Sequence, residues 1–163
     1  MSAARHDAPR AREVLETCLY ASDLAAAERF YADVLGLEVM TRVAGRHVFF
    51  RLGRGVFLVF NPAATSVPAE HGTRVPTHGA HGPGHVAFAV ADAALDGWRA
   101  HLAHRGVSVE AEVTWPRGGR SLYVRDPAGN SVELASPAIW GLPDELAGAD
   151  PAPTGERPPA AEP

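Results

Sequence analysis

The 163-residue chain has a formal net charge of −4 and a pI near 6.0, so it lacks the positive surface that a nucleic-acid backbone or an acidic membrane would attract. All fifteen basic residues are arginine, which excludes a lysine Schiff base or lysine general base. The single cysteine, Cys18, excludes an intrachain disulfide and a CxxC metal site. Without an apolar signal segment after Met1 or an apolar run of about 18–20 residues, we expect a cytoplasmic protein.

The first half of the chain predicts a strand, a helix and three more strands. Residues 1–12 are small and polar, and we expect a flexible N-terminus. An alternating pattern around Glu16 predicts the first strand. Apolar residues at helical spacing follow from Leu24 to Leu35 and end at Gly36. Short strands are then predicted near 37–43, 47–51 and 56–60, which completes a βαβββ module over residues 13–62.

The second half predicts the same order of elements. Residues 63–83 combine prolines, glycines and histidines without periodicity, so we expect a long surface loop between modules. The second βαβββ module covers residues 84–140, with strands near 84–90, 107–113, 121–125 and 131–135 and a helix near 92–105. Residues 141–163 are rich in Pro, Ala, Glu and Gly and are expected to be disordered.

Matching residues in the two halves indicate a duplication. Glu16 lies 69 positions before His85, and Asp23 lies 69 positions before Asp92. A second match, at an offset of 74, aligns residues 45–51 with residues 119–125. Two independent matches with slowly growing offsets favour duplication over chance.

Three charged or ionisable residues interrupt otherwise apolar strands: Glu16, Glu133 and His85. A carboxylate in such a strand is costly to bury unless it is paired or bound to a cation. One imidazole and two carboxylates suit a divalent ion such as Mn²⁺, Fe²⁺, Co²⁺, Ni²⁺ or Zn²⁺. The alternative is structural: His85 caps a strand end, and the two glutamates pair with arginines, the candidates being Arg46, Arg51, Arg120 and Arg125.

Four motifs give the chain a resemblance to the vicinal oxygen chelate superfamily. They are Ala21-Ser-Asp-Leu24, Phe30-Tyr-Ala-Asp-Val-Leu-Gly-Leu37, Gly84-His-Val-Ala-Phe-Ala-Val90 and Arg125-Asp-Pro-Ala-Gly-Asn-Ser-Val-Glu133. This superfamily includes glyoxalases, extradiol dioxygenases and bleomycin-binding proteins. The resemblance implies an α+β fold, in which two βαβββ modules form a cupped eight-stranded mixed sheet with the helices outside. It covers about residues 13–140.

The resemblance also implies a ligand set for a divalent metal. His85 and Glu133 match the usual second-module ligands, and Glu16 stands where a histidine or glutamine is more common. The fourth position is Leu58, or Phe57 if the register slips by one, and neither can bind a metal. This looks like a three-ligand site and departs from the four-ligand glyoxalases.

Further residues are candidates for contact with a substrate: Tyr20, His47, Trp115, Arg117 and Tyr123. An arginine in the flexible 115–121 loop suits an anionic group. The alternative is that Tyr20, and Cys18 on the same strand face, only pack inside the small cavity between the sheets and contact no substrate. We expect the three histidines of residues 63–83, which are His71, His78 and His81, to lie in a solvated loop. The alternative is that they form a lid or a secondary metal site.

These expectations combine into a metal-dependent enzyme acting on a small substrate with vicinal oxygens, either a glyoxalase-like isomerase or lyase or a dioxygenase. Glu133 or Glu16 would move a proton. The rival is a metal-free protein of the bleomycin-resistance type that binds a small molecule in an apolar cleft, with Trp115, Trp140, Tyr20 and Phe60 as its walls. A homodimer is expected by resemblance, and the two modules either close the cup within one chain or swap between two.

Overall fold

The computed structural model describes residues 10–68 and 75–145. Most of the predicted flexible N-terminus and disordered tail, together with His71, lies outside the described residues. The elements run in chain order: β1 Glu16–Tyr20, α1 Leu24–Arg29 continuing as a π-helical turn Phe30–Val34, β2 Glu38–Val43, β3 His47–Leu52, β4 Gly55–Phe60, α2 Pro62–Thr65, β5 His85–Ala89, a 3₁₀ turn Asp92–Ala94, α3 Leu95–His104, β6 Ala111–Thr114, β7 Arg120–Arg125, β8 Ser131–Ala135 and a 3₁₀ turn Pro137–Trp140.

The strands form two four-stranded sheets with the same order, β1-β4-β3-β2 and β5-β8-β7-β6. In each sheet the first strand of the module pairs in parallel with the fourth, and the remaining pairs are antiparallel. The predicted α+β fold with two βαβββ units is therefore confirmed. The eight strands are divided between two hydrogen-bonded sheets.

The register of the two sheets shows which positions correspond. Cys18 pairs with Leu58 in the first sheet, and Ala87 pairs with Glu133 in the second. On the next strand, Phe49 pairs with Leu58 as Tyr123 pairs with Glu133. Leu58 is thus the first-module counterpart of Glu133, as the sequence predicts when the following proline sets the register.

The first helix changes its geometry halfway along. Asp23 caps it, because its Oδ1 accepts a hydrogen bond of 2.9 Å from the Ala26 backbone N–H. The α-helix then widens, and the Leu35 N–H donates to the Phe30 carbonyl five residues earlier, at 3.2 Å. Gly36, with φ of 73°, ends the helix in the left-handed region that glycine tolerates.

One hydrophobic core joins the two modules. Tyr31 and Phe57 from the first module are fully buried, and Phe88 of β5 meets Phe57 edge-on at 5.3 Å between ring centroids. Leu95 and Leu102 face this core from α3, as their helical spacing predicts. Because both helices and both sheets share the core, it lies on one face of each sheet and leaves the opposite face for the site.

Two elements differ from the sequence expectations. β6 begins at Ala111, four residues later than predicted, because the Val107 N–H returns to the Leu102 carbonyl at the end of α3 before the chain joins β7. The predicted loop after β4 begins with the short helix α2, which Asn61 caps through the Ala63 N–H at 3.0 Å. In the described parts of the chain no helix is long and apolar enough to cross a membrane, and a cytoplasmic location stays a prediction.

Candidate functional site

His85 and Glu133 meet on the sheet face opposite the core. His85 begins β5, and Glu133 is the third residue of the adjacent strand β8. His85 Nε2 lies 3.3 Å from Glu133 Oε2, and His85 Nδ1 lies 3.2 Å from the Ser131 carbonyl. Half of the His85 side chain remains exposed, at 53%. The imidazole is therefore held at both nitrogens although its side chain is half exposed.

The carboxylate of Glu133 is unusual because it is buried and incompletely bonded. Its residue is 5% exposed, and Oε1 has no hydrogen-bond partner. Alternation along β8 places Glu133 on the face opposite Val132 and Leu134, which lie in the core. A buried carboxylate oxygen without a donor carries a desolvation cost that a bound cation or proton donor would relieve. Glu133 is thus the strongest single indication of a ligand site.

Tyr123 borders this pair, and Trp115 lies farther along the same sheet. The Tyr123 ring lies nearly parallel to the His85 imidazole, with centroids 6.4 Å apart. Burial, and then the neighbouring Glu133 carboxylate, raise the pKa of Tyr123, so its hydroxyl remains protonated at neutral pH. Trp115 Nε1 donates to the buried Ser121 Oγ at 2.9 Å and places the indole against the end of the same face. The site thus has a neutral hydroxyl donor and an aromatic edge.

Glu16 does not join His85 and Glu133 within this chain. Glu16 and His85 line one cleft of about 470 Å³ between β1 and β5. However, no three His, Cys, Asp or Glu side chains are grouped as a metal site requires anywhere in residues 10–68 and 75–145. Gly84, next to His85, lies against Leu19 near the end of β1, whereas Glu16 begins that strand. Glu16 and Leu19 are three residues apart, which is roughly 10 Å along β1.

The predicted arginine partners are engaged elsewhere. Arg51 contacts Glu38 at 3.5 Å, and Arg125 holds Glu110 with both Nε and Nη2. Arg120 bonds Asp96, and Arg46 donates to the Ala64 carbonyl. Within the described residues none of the four reaches Glu16 or Glu133, so the structural alternative of arginine pairing does not account for these two glutamates.

Comparison with known proteins places this geometry in a family. A family model described as the Glyoxalase/Bleomycin resistance protein/Dioxygenase superfamily matches residues 13–134. The chain belongs to this superfamily. Glyoxalase-type proteins share its fold, which confirms the predicted resemblance.

Solved structures of superfamily proteins superpose on the chain. A lactoylglutathione lyase from Agrobacterium tumefaciens is 43% identical, with a TM-score of 0.78, and the match covers 82% of this chain and all of that one. A glyoxalase/dioxygenase from Nostoc punctiforme is 23% identical, with a TM-score of 0.56 and coverage of 77% and 90%. A glyoxalase/bleomycin resistance protein/dioxygenase from Nocardioides is 22% identical, with a TM-score of 0.60 and coverage of 78% and 85%. The last two support the fold alone.

In this superfamily member the first-module sheet carries aromatic rings, including His47, Phe49 and Phe60, on the side opposite the core. We call this side the first-module face. His47 stacks on Phe49 with centroids 4.0 Å apart, and Phe60 meets both rings edge-on. Burial, and then Arg46, lower the pKa of His47, so its imidazole is neutral near pH 7. Leu58, 6% exposed, occupies the middle of this face where the second module has Glu133. The first module therefore offers apolar rings where the second offers polar groups.

His78 completes the aromatic face, and the sequence analysis missed its position. Its Nδ1 lies 2.8 Å from the Tyr20 hydroxyl, and its ring meets Phe60 edge-on at 4.7 Å. The His78 N–H donates to the Thr65 carbonyl of α2, which brings the connection back over the sheet. Residues 63–83 have no periodic pattern, so in the sequence their three histidines were the only indication of a functional role.

The remaining predicted contact residues are placed around the rim. Tyr20 and His47 lie on the first-module face, and Tyr123 lies on the second-module face. Trp115 is 37% exposed, and Arg117 is exposed in the turn that follows β6. Their contact with a substrate stays a prediction, as does metal binding by Glu16, His85 and Glu133.

Proposed function

We propose that this chain is a divalent-metal-dependent, glyoxalase-like lyase. It would interconvert a 2-hydroxyacyl thioester, such as lactoylglutathione, with the parent thiol and 2-oxoaldehyde. The observation that carries the proposal is the buried, unpartnered Glu133 Oε1 beside the His85 imidazole. The 43% identity to a lactoylglutathione lyase supports the choice of reaction.

The residues of the second module fit part of a metal site. One imidazole nitrogen and one carboxylate are typical donors for Mn²⁺, Fe²⁺, Co²⁺, Ni²⁺ or Zn²⁺, and the ion's charge would satisfy Glu133 Oε1. The hydrogen-bond contact of His85 Nδ1 with the Ser131 carbonyl orients the ring, as partners of metal-bound histidines do. His85, Glu133 and Glu16 would hold the ion. When bound, it would supply a Lewis acid that polarises vicinal substrate oxygens.

The chain's own residues supply proton transfer and orientation. The thiol and the 2-oxoaldehyde combine into a hemithioacetal, and Glu133 would take the proton from its sulfur-bearing carbon and return it to the neighbouring carbon, which yields the 2-hydroxyacyl thioester, with Glu16 as the alternative base. Tyr123, whose pKa is raised by burial and by Glu133, would donate a hydrogen bond to a substrate oxygen. Tyr20, His47 and Trp115 would contact the organic part of the substrate, and the Arg117 guanidinium would pair with an anionic group at the rim.

We propose that two copies of the chain share each site. Glu16 is exposed on its own chain, and the sheet face around His85 is also open. A two-fold dimer would bring the first-module face of one copy over the second-module face of the other and would supply Glu16 to His85 and Glu133. The aromatic first-module face would then close the cup.

A direct assay tests the reaction. Purified protein, freed of metal with a chelator and reloaded with each of the five ions, is given methylglyoxal and glutathione, and S-lactoylglutathione is measured. We expect product only with metal, and a fall in kcat/KM of roughly 10²-fold or more for Glu133→Gln. The matched control is Glu110→Gln, which changes an exposed glutamate of the same module. Metal-loaded protein that forms no product would refute the lyase.

Mixing two inactive variants tests the shared site. In a heterodimer of Glu16→Ala and Glu133→Ala chains, one site carries both substitutions and the other carries neither. Random reassociation would therefore restore about a quarter of wild-type activity. A site built within one chain would restore none. Light scattering of the unmixed protein would check that it is a dimer.

The second candidate function is a metal-free binding protein of the bleomycin-resistance type. The aromatic first-module face, with Leu58 at the position of the missing ligand, favours it. Such a protein would bind a planar organic molecule with unchanged affinity after chelator treatment. Loss of binding in the chelator would favour the enzyme.

A further inference from the structure

We propose that Asn130 is a positioning residue for the site and that Asp126 connects it to Tyr31 of the first module. The proposal rests on the proposed function, because it concerns how His85 and Glu133 are held. It adds that the position of the second-module pair depends on a buried polar chain anchored in the first helix.

Asn130 contacts the strands that carry all three predicted ligands. Its Oδ1 accepts a hydrogen bond of 2.7 Å from the Gly84 N–H, immediately before His85. Its Nδ2 donates to the Tyr20 carbonyl at 3.1 Å, at the end of the strand that begins with Glu16. Asn130 itself immediately precedes β8, which carries Glu133. One side chain therefore sets the spacing among three strands.

The amide of Asn130 is completely bonded and buried. Its second Nδ2 hydrogen bond goes to Asp126 Oδ2 at 2.8 Å, and the residue is 1% exposed. Loss of the amide would leave the Gly84 N–H and the Tyr20 carbonyl without their side-chain partner. The adjacent Ser131 N–H donates to the Gly84 carbonyl at 2.9 Å, which makes the attachment at Gly84 two-sided.

Asp126 links this amide to the first module. Its Oδ2 accepts from Asn130 Nδ2 and from the Tyr31 hydroxyl, both at 2.8 Å. Its Oδ1 accepts from the Ala128 and Asn130 backbone N–H groups at 2.9 and 2.8 Å. Asp126 is 4% exposed and Tyr31 is fully buried against Phe57 and Phe88. The carboxylate is thus fixed from both modules.

The Gly84 backbone packs closely against two neighbouring residues. A Cβ at this residue would lie 2.6 Å from Leu19 Cδ2 and 3.4 Å from Asn130 Oδ1. Real Cβ atoms essentially never come so close as the first distance, so a side chain at residue 84 would force the Leu19 side chain to shift. The backbone at Gly84 is therefore confined on one side by β1 and on another by the Asn130 amide.

The test compares Asn130→Ala with two controls. Asn61→Ala removes the other structurally bonded asparagine, whose amide bonds Gly45 and Ala63 away from His85. Leu95→Val lowers stability from within the core without touching the polar chain. For each folded variant, Zn²⁺ affinity is measured by calorimetry and the Gly84 and His85 amide and imidazole signals are measured by NMR.

We expect Asn130→Ala to weaken Zn²⁺ binding by about 10–100-fold and to shift the His85 signals. Both controls should stay within about twofold of wild type. Wild-type affinity and wild-type His85 signals in folded Asn130→Ala would overturn the proposal. If Asn130→Ala does not fold, Tyr31→Phe decides: it removes only the hydroxyl bond to Asp126, and unchanged His85 signals in it would equally overturn the proposal.

The result remains interpretable if the proposed function is wrong. A wild-type protein that binds no divalent ion would refute the metal-dependent lyase. The NMR displacement of His85 in Asn130→Ala, set against the two controls, would still decide whether Asn130 positions the pair.

Discussion

Leu58 occupies in the first sheet the position that Glu133 occupies in the second. Each lies opposite the residue two places after the start of its module's first strand, Cys18 in one case and Ala87 in the other. Both are buried on the face opposite the core. The two sheets therefore share a backbone position whose side chain is apolar in the first and a carboxylate in the second.

Placing a carboxylate at residue 58 should make stability depend on metal. In metal-free protein, Leu58→Glu should lower the free energy of unfolding by about 3 kcal/mol, because it buries an unpaired charge. Saturating Zn²⁺ should recover much of this loss, since a ligand at 100 times its Kd adds about 2.7 kcal/mol. Leu58→Met, the control of similar volume, should cost less than about 1.5 kcal/mol. Equal urea midpoints for the two metal-free variants would contradict this.

Removing the charge of Glu133 should stabilise the metal-free protein. Glu133→Gln keeps the side-chain volume but removes a buried carboxylate whose Oε1 has no donor. We expect the free energy of unfolding at pH 8 to rise by about 1 kcal/mol in urea titrations. The exposed control Glu110→Gln loses its pair with Arg125, and its free energy of unfolding should instead fall by less than about 1 kcal/mol. A clear loss of stability in Glu133→Gln would show that its carboxylate is already satisfied.

His47 should make stability fall on mild acidification. Its pKa is lowered by burial and by Arg46, so the folded protein binds fewer protons than the unfolded chain below the unfolded histidine pKa of about 6.5. This stability is present above that pKa and is lost as the pH falls through the folded pKa. His47→Gln should flatten the decline in melting temperature below pH 6.5, whereas His104→Gln, an exposed control on α3, should not. Parallel curves for His47→Gln and wild type would exclude this role.

Two tyrosine hydroxyls should differ in their contribution to stability. Tyr31 donates to Asp126 in the core, and Tyr31→Phe should lower the free energy of unfolding by about 1–3 kcal/mol, because a buried acceptor loses its donor. Tyr20 bonds His78 where water has access, and Tyr20→Phe should cost less than about 1 kcal/mol. Urea unfolding of both variants checks the ranking. A larger loss for Tyr20→Phe would reverse it.

The sequence was sufficient for the fold because its local signals agree with the packing. Alternation placed Glu133 opposite Val132 and Leu134, and the offset between repeats related Glu16 to His85. These patterns are local, and each residue's face follows from its place in a strand. The π-helical turn at Phe30–Val34 was not predictable in this way, since the apolar spacing from Leu24 to Leu35 also fits an ordinary α-helix.

Long-range placement explains what the sequence analysis missed. His78 reaches Tyr20 across 58 residues of chain, and no periodic pattern marks its segment. Asp126 and Asn130 form the turn between β7 and β8. Their additional bonds to Tyr31, Tyr20 and Gly84 depend on how two modules pack, which composition and spacing do not encode.

The decisive measurement is the metal content of protein purified without a chelator. Elemental analysis of wild type and Glu133→Ala, each checked for folding, would be read side by side. We expect about one divalent ion per chain in wild type and less than about a tenth of that in the variant, since only His85 and Glu16 would remain to hold it. A wild type without metal, or a variant that keeps its full content, would contradict the account.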